Sequence, residues 1–199
     1  MGHFAPHHYD LKPAGRCLVR SAQPADSERI LIAAREVFAT TQHVLTQPDE
    51  FNLTLNDERA FVESMLAAPD SVFLVALDAT NPDGEVVGIS SLKRSLPKRK
   101  MRHTLDLGMS VISPWRGRGV GTALMASCVQ WARARPEIEI VTLAVYQDNA
   151  AGLALYRRFG FVPYGHLPRG LMHDDGSTWD QVLMYLDVRG PEGDRGQER

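Results

Sequence analysis

Arg116-Gly117-Arg118-Gly119-Val120-Gly121-Thr122 has the composition of an anion site. Its two arginines bring charge suited to phosphate oxygens. Its glycines let backbone N–H groups converge, and the TALMASCVQWARA that runs on from Thr122 has helical apolar spacing. The turn therefore opens onto a helix N-terminus, where unpaired donors and the positive end of the dipole favour an anion. Upstream, residues 105–112 barely alternate and read as a strand buried on both faces, stopped by Ser113 and Pro114. Strand, glycine turn and helix start make a cradle for a diphosphate. A P-loop needs Lys and Ser/Thr after its last Gly, and no Lys is present here. Gly117, Gly119 and Gly121 follow G-x-G-x-G rather than G-x-G-x-x-G, about a hundred residues into the chain rather than early in a βαβ unit. The same glycines would also serve a plain tight turn.

The elements around this turn follow from periodicity and punctuation. Residues 1–16, with His3, His7 and His8, show no period and form an irregular leader; without carboxylates or Cys at ligand spacing they suggest no metal site. Residues 17–21 read as a first strand. Pro24 opens a helix to about Thr40 with Ile30, Leu31, Ala34, Val37 and Phe38 on one face. A loop over 41–55 leads to a second helix, capped by Asn56 and burying Phe61, Met65 and Leu66. Residues 71–79 and 85–92 form a hairpin about Asn81-Pro82-Asp83-Gly84. Lys93, Arg94, Lys98, Arg99, Lys100 and Arg102 then make a basic tip; without interleaved aromatics it is a poor nucleic-acid platform, and it reads as a solvated hairpin tip or as a contact for an acidic substrate or a ribose phosphate. Residues 137–146 are a β-branched strand, and 149–159 a short helix with Gly160 as its C-cap. Residues 161–164 start another strand, 165–178 are a loop, and 179–188 are the last strand. Residues 190–199 are too polar to fold.

Composition narrows the class. With 199 residues, 44% of them hydrophobic, the chain can bury one good core. A formal charge of −2 gives no global reason to bind nucleic acid or membrane. Cys17 and Cys128 form no C-x-x-C, and Cys128 reads as core. Residues 1–20 lack a signal-peptide apolar run, and a cytoplasmic protein is expected.

Arg116-x-x-Gly119-x-Gly121 resembles the acetyl-coenzyme A signature (R/Q-x-x-G-x-G/A) of the GCN5-related N-acetyltransferase (GNAT) superfamily. Asn149…Ala154-Leu155-Tyr156-Arg157-Arg158-Phe159-Gly160-Phe161 resembles that superfamily's downstream motif, N-x-x-A-x-x-L-Y-x-x-x-G-F. Both occur in the family's order, about thirty residues apart. Asp175-Gly176…Asp180…Met184 more weakly resembles a pattern of small-amine and N-terminal acetyltransferases. The resemblance spans 17–188, between the leader 1–16 and a disordered tail 189–199. The leader and the basic tip depart from the family. The fold it implies is α/β (α+β): a mixed central sheet of about six to seven strands with a splayed central pair, flanked by about four helices. It also implies acetyl-CoA as cosubstrate with no metal, and a small amine or a peptide N-terminus as acceptor. Homodimers are common in the family.

The resemblance further implies roles for residues. Backbone donors around Met109 and Val111 would polarise the thioester carbonyl, an oxyanion-type arrangement. The pyrophosphate would sit on Arg116, Gly117, Arg118, Gly119, Val120, Gly121 and Thr122. Asn149 would hold the pantetheine arm or a bridging water, and Tyr156 would protonate the departing sulfur. Tyr156 also has a plain reading as a core tyrosine, whereas Leu155, Phe159 and Phe161 are read as core. An alkylammonium must lose a proton before it attacks, so a carboxylate acting through water would help. Asp106 is an odd charge in an apolar strand, and reads either as that base or as a strand-end residue facing solvent. Glu50, in the long loop, is the second candidate and could equally bind a cationic amine. Two rival functions keep the same residues: a non-catalytic acyl-CoA sensor, and a ribosome- or nucleic-acid-binding module working through the basic tip.

Overall fold

The computed structural model describes residues 3–81, 84–96 and 98–190. Its backbone gathers into two compact units, Met1–Lys93 with Gly108–Cys128, and Arg94–Leu107 with Val129–Arg199. The turn expected at 81–84 lies partly outside the described residues, as does Pro97 of the basic tip and, from residue 191, the expected tail.

The first unit starts with β1 (His7–Asp10), which pairs antiparallel with β2 (Arg16–Ser21). Residues 7–10 of the expected irregular leader are thus a strand. Main-chain bonding to a neighbour, rather than apolar alternation, makes His-His-Tyr-Asp a strand, and Phe4 and Leu11 on either side of it are buried. β3 (Val72–Asp78) pairs antiparallel with β2 and with β4 (Val86–Lys93). β3 is buried along Val72–Leu77, and it is the strand covered on both faces. The strand expected to be so, β5 (Thr104–Val111), buries Leu105 alone. It is half-open because several of its residues line a cavity.

α1 (Ser27–Thr40) follows a 3-10 turn at Pro24–Asp26 and buries Ile30, Leu31, Ala34 and Val37 as its apolar spacing requires. Asp26 is buried between Arg20 and Arg29, each with a nitrogen 2.6 Å from a carboxylate oxygen. Burial alone would raise its carboxyl, but the Arg20 hydrogen bonds, the Gln23 amide and the two cations hold it below the usual range. α2 (Leu55–Ala67) is capped by Thr54, not Asn56: the Thr54 Oγ1 accepts the Asp57 N–H at 3.2 Å, and Asp57 returns a bond to the Thr54 N–H at 2.9 Å.

α3 (Val120–Arg133) buries Val120, Ala123, Leu124, Cys128 and Trp131. In the second unit, β5 pairs in parallel with β6 (Ile140–Tyr146) only over Thr104–Asp106 against Ile140–Thr142. α4 (Ala150–Arg158) buries Leu153, whereas Leu155 and Phe159 stay half-buried rather than core. β7 (Val162–Met172) and β8 (Thr178–Asp187) form an antiparallel hairpin, so the loop expected over 165–178 shrinks to 173–177. Pro163, Gly165, Pro168 and Gly170 look like turn residues, yet β7 absorbs them through register shifts at 163–165 and 167–171. At the second shift Arg169 has φ 53°, and its N–H donates to Asp180 Oδ1 at 2.8 Å. Asp180 and the fully buried Met184 of the weak third motif therefore have structural roles.

The strand order is β1-β2-β3-β4-β5 in the first unit and β5-β6-β8-β7 in the second. Among the described residues the strands pair both parallel and antiparallel, eight of them where six or seven were expected, with four α-helices. No helix among the described residues is long and apolar enough to cross a membrane.

Candidate active site

The glycine turn forms as its residues dictate. Gly117 (φ 73°) and Gly119 (φ 106°) take backbone conformations that L side chains rarely adopt. The Gly119 carbonyl accepts the Ala123 N–H at 3.0 Å, which starts α3 at Val120. Among the described residues nothing stands within 4 Å of where a Gly117 Cβ would project, so a phosphate can approach the bare backbone. This donor set fits a pyrophosphate.

The two arginines of the turn have protein partners as well. Arg116 donates from Nε to the Val111 carbonyl at 2.9 Å and from Nη2 to Thr40 Oγ1 at 2.9 Å. It ties the end of α1 to the strand-to-turn junction. Glu36 reinforces that junction, its carboxylate accepting the Ser113 N–H at 3.0 and 3.1 Å. Arg118 lies over Trp115, 4.1 Å from the ring centroid, and donates to the Ala14 carbonyl.

The first unit also holds a cavity of about 250 Å³. Its apolar wall includes Phe38, Phe51, Phe61 and Phe73; Ser90, Ser91 and the β5 residues Gly108, Met109 and Ser110 form another side. Ser90 Oγ donates to the Gly108 carbonyl at 2.9 Å and lies 3.2 Å from Cys128 Sγ. Burial pushes the Cys128 thiol up to about 12, so it stays a protonated core residue.

Glu58 also lines this cavity, and sequence reasoning missed it. It is 6% exposed, and its Oε1 has no hydrogen-bond partner among the described residues. Burial pushes its carboxyl up. Because the folded form holds its proton more tightly than the unfolded chain, stability from this group falls as pH rises from the ordinary glutamate range to the raised one. Glu58→Gln is expected to remove that slope and to melt no lower than wild type at neutral pH, as thermal denaturation across pH will show. Glu50, the carboxylate expected to serve here, is exposed, absent from the cavity wall, and accepts the Gln47 N–H at 2.9 Å.

In the second unit, half-buried Asp106 accepts a hydrogen bond from the Thr142 hydroxyl. Asn149 caps α4, its Oδ1 accepting the Gly152 N–H at 2.9 Å, which leaves the side-chain N–H groups for another partner. The Tyr156 ring is tilted against Phe161, 5.9 Å between centroids, and its hydroxyl makes no hydrogen bond to the described residues. Burial raises its hydroxyl above the ordinary tyrosine range, so it remains a proton donor at neutral pH. Tyr146 is buried against Trp179, 5.4 Å between centroids. Among the described residues no group of three or more His, Cys, Asp or Glu could hold a metal ion.

Comparison with known proteins gives the family. The model of the acetyltransferase (GNAT) family matches residues 37–161. An L-methionine sulfoximine/L-methionine sulfone acetyltransferase of Pseudomonas aeruginosa is 29% identical over 170 residues, 85% of this chain and 94% of that protein. The crystal structure of a GNAT-family acetyltransferase from Streptococcus pneumoniae superposes with a TM-score of 0.80 at 24% identity, covering 86% of this chain and 99% of that one. YncA of Salmonella typhimurium, solved with its cofactor acetyl-CoA, superposes with a TM-score of 0.75 at 19% identity, covering 90% and 95%. This chain belongs to the GNAT family of acetyltransferases, enzymes whose acetyl donor is acetyl-CoA.

Proposed function

We propose that the protein acetylates a primary amine by direct attack within a ternary complex, with no acyl-enzyme. The observation that carries this reading is the continuity of β5, the glycine turn and α3. One strand lends Gly108–Ser110 to the cavity wall and runs directly into the pyrophosphate cradle. Acetyl-CoA supplies the acetyl group as a thioester. The Arg116 N–H is given to the Ser113 carbonyl at 3.2 Å, so the amides of residues 117–122 hold the pyrophosphate, and the N–H groups of Met109 and Val111 donate to the carbonyl oxygen as charge develops there. Asn149 binds the pantetheine arm directly or through water. Tyr156 gives its proton to the departing sulfur, and Asp106, fixed by Thr142, takes a proton from the amine through water. The buried, unpaired Cys17 and Cys128 support a reducing, cytoplasmic compartment.

The test is thiol release from acetyl-CoA across a panel of amines, amino acids including L-methionine sulfoximine, and peptides. Release with at least one acceptor is expected; coenzyme binding without release from any would leave a sensor. Asp106→Asn is expected to lower kcat/KM at neutral pH and to recover at higher pH, as free amine becomes abundant without help from a base. An unchanged pH–rate profile would remove Asp106 from the mechanism.

A further inference from the structure

We infer that the cavity of the first unit is the acceptor site, that Glu58 anchors the substrate ammonium there, and that the acceptor is a small amine on an apolar or aromatic body with no carboxylate. The inference rests on the acetyl-transfer reading above and adds the substrate class. Four phenylalanines from four stretches of the chain converge on the cavity: Phe38 of α1, Phe51 of the following loop, Phe61 of α2 and Phe73 of β3. Phe38 and Phe51 stand 4.7 Å apart and Phe61 and Phe73 5.2 Å apart, tilted and edge-on, so they form a fixed aromatic wall. Glu58 is the single ionisable side chain among the lining residues. An orphaned carboxylate oxygen in such surroundings is costly unless something pairs with it, and an ammonium restores both charge and hydrogen bond. The serine hydroxyls can accept the remaining N–H groups.

The same wall works against an amino acid. Among the described residues no arginine, lysine or histidine lines it, so an α-carboxylate would enter unpaired beside Glu58. Lys93 holds its Nζ 5.8 Å over the Phe61 ring but is not part of the wall. The volume lies below the roughly 300–1,000 Å³ of drug-sized sites, which points to a compact guest.

The experiment uses the full chain with 2-phenylethylamine and L-phenylalanine, which differ by one carboxylate. The wild-type KM for the amine is expected to be about 10–100-fold below that for the amino acid. Glu58→Gln, which keeps the side-chain shape, is expected to raise the amine KM about 10–100-fold, with the acetyl-CoA KM unchanged. Calorimetric titration of 2-phenylethylamine into coenzyme-free protein reads the site without turnover: binding heat in wild type, lost in Glu58→Gln, is expected. Glu58→Met gives a second variant, and circular dichroism and melting confirm that both are folded. L-phenylalanine preferred over the amine, or equal amine binding in wild type and both variants, overturns the inference while acetyl transfer stands. Thiol release with no amine or amino acid overturns both.

Discussion

Tyr156→Phe is expected to lower kcat by about 10²–10⁴-fold, the usual contribution of a positioned general acid. The phenol is well suited to donate: burial raises its hydroxyl, and no described residue competes for the proton. A thiolate leaving group is stabilised by taking that proton, and phenylalanine has none to give. The ring and its contact with Phe161 are retained, so stability should change by no more than about 1 kcal/mol, the net value of one hydrogen bond. Acetyl-CoA affinity is expected to persist, because the pyrophosphate donors belong to residues 117–122. If product release limits turnover, a pre-steady-state burst will appear and the single-turnover rate will carry the whole loss. Full single-turnover activity in the variant would refute the acid role.

Gly119→Asp is expected to weaken acetyl-CoA binding by at least about 10²-fold, each lost charge-assisted hydrogen bond costing roughly 1.5–3 kcal/mol. Two effects combine. At φ 106° any L side chain is strained, by about 1–3 kcal/mol, although a Cβ there has room, 3.7 Å from Leu11. The carboxylate would also cap α3 itself, occupying the amides that a phosphate needs and repelling its charge. That capping offsets part of the strain, so the protein should fold. Gly119→Ala carries the strain without the charge and is expected to bind with an intermediate loss. Near-normal affinity in a folded Gly119→Asp protein, measured by calorimetry, would sink the assignment of residues 117–122 as the pyrophosphate site.

Local chemistry alone determined a good part of this protein. The glycine turn was legible because positive φ and close backbone approach demand glycine wherever they occur, and Gly117 and Gly119 take those conformations. α1 was legible because its apolar residues repeat at the helical period, and the family followed from two motifs whose spacing is itself local. Only the tertiary structure decided the rest. β1 has no apolar signature; it exists because β2 offers it a hydrogen-bonding edge. β7 breaks the rules for a strand at Pro163 and Gly165, and β8 holds it through bulges. Glu58 sits in the charged run Asn56-Asp57-Glu58-Arg59, which reads as a solvated helix face. It shares a cavity wall with Phe38, Phe51, Phe61 and Phe73, distant in sequence, and no window of the chain contains that meeting. Helical period and turn chemistry are properties of neighbouring residues, whereas the desolvation of a carboxylate depends on whatever the whole chain packs around it.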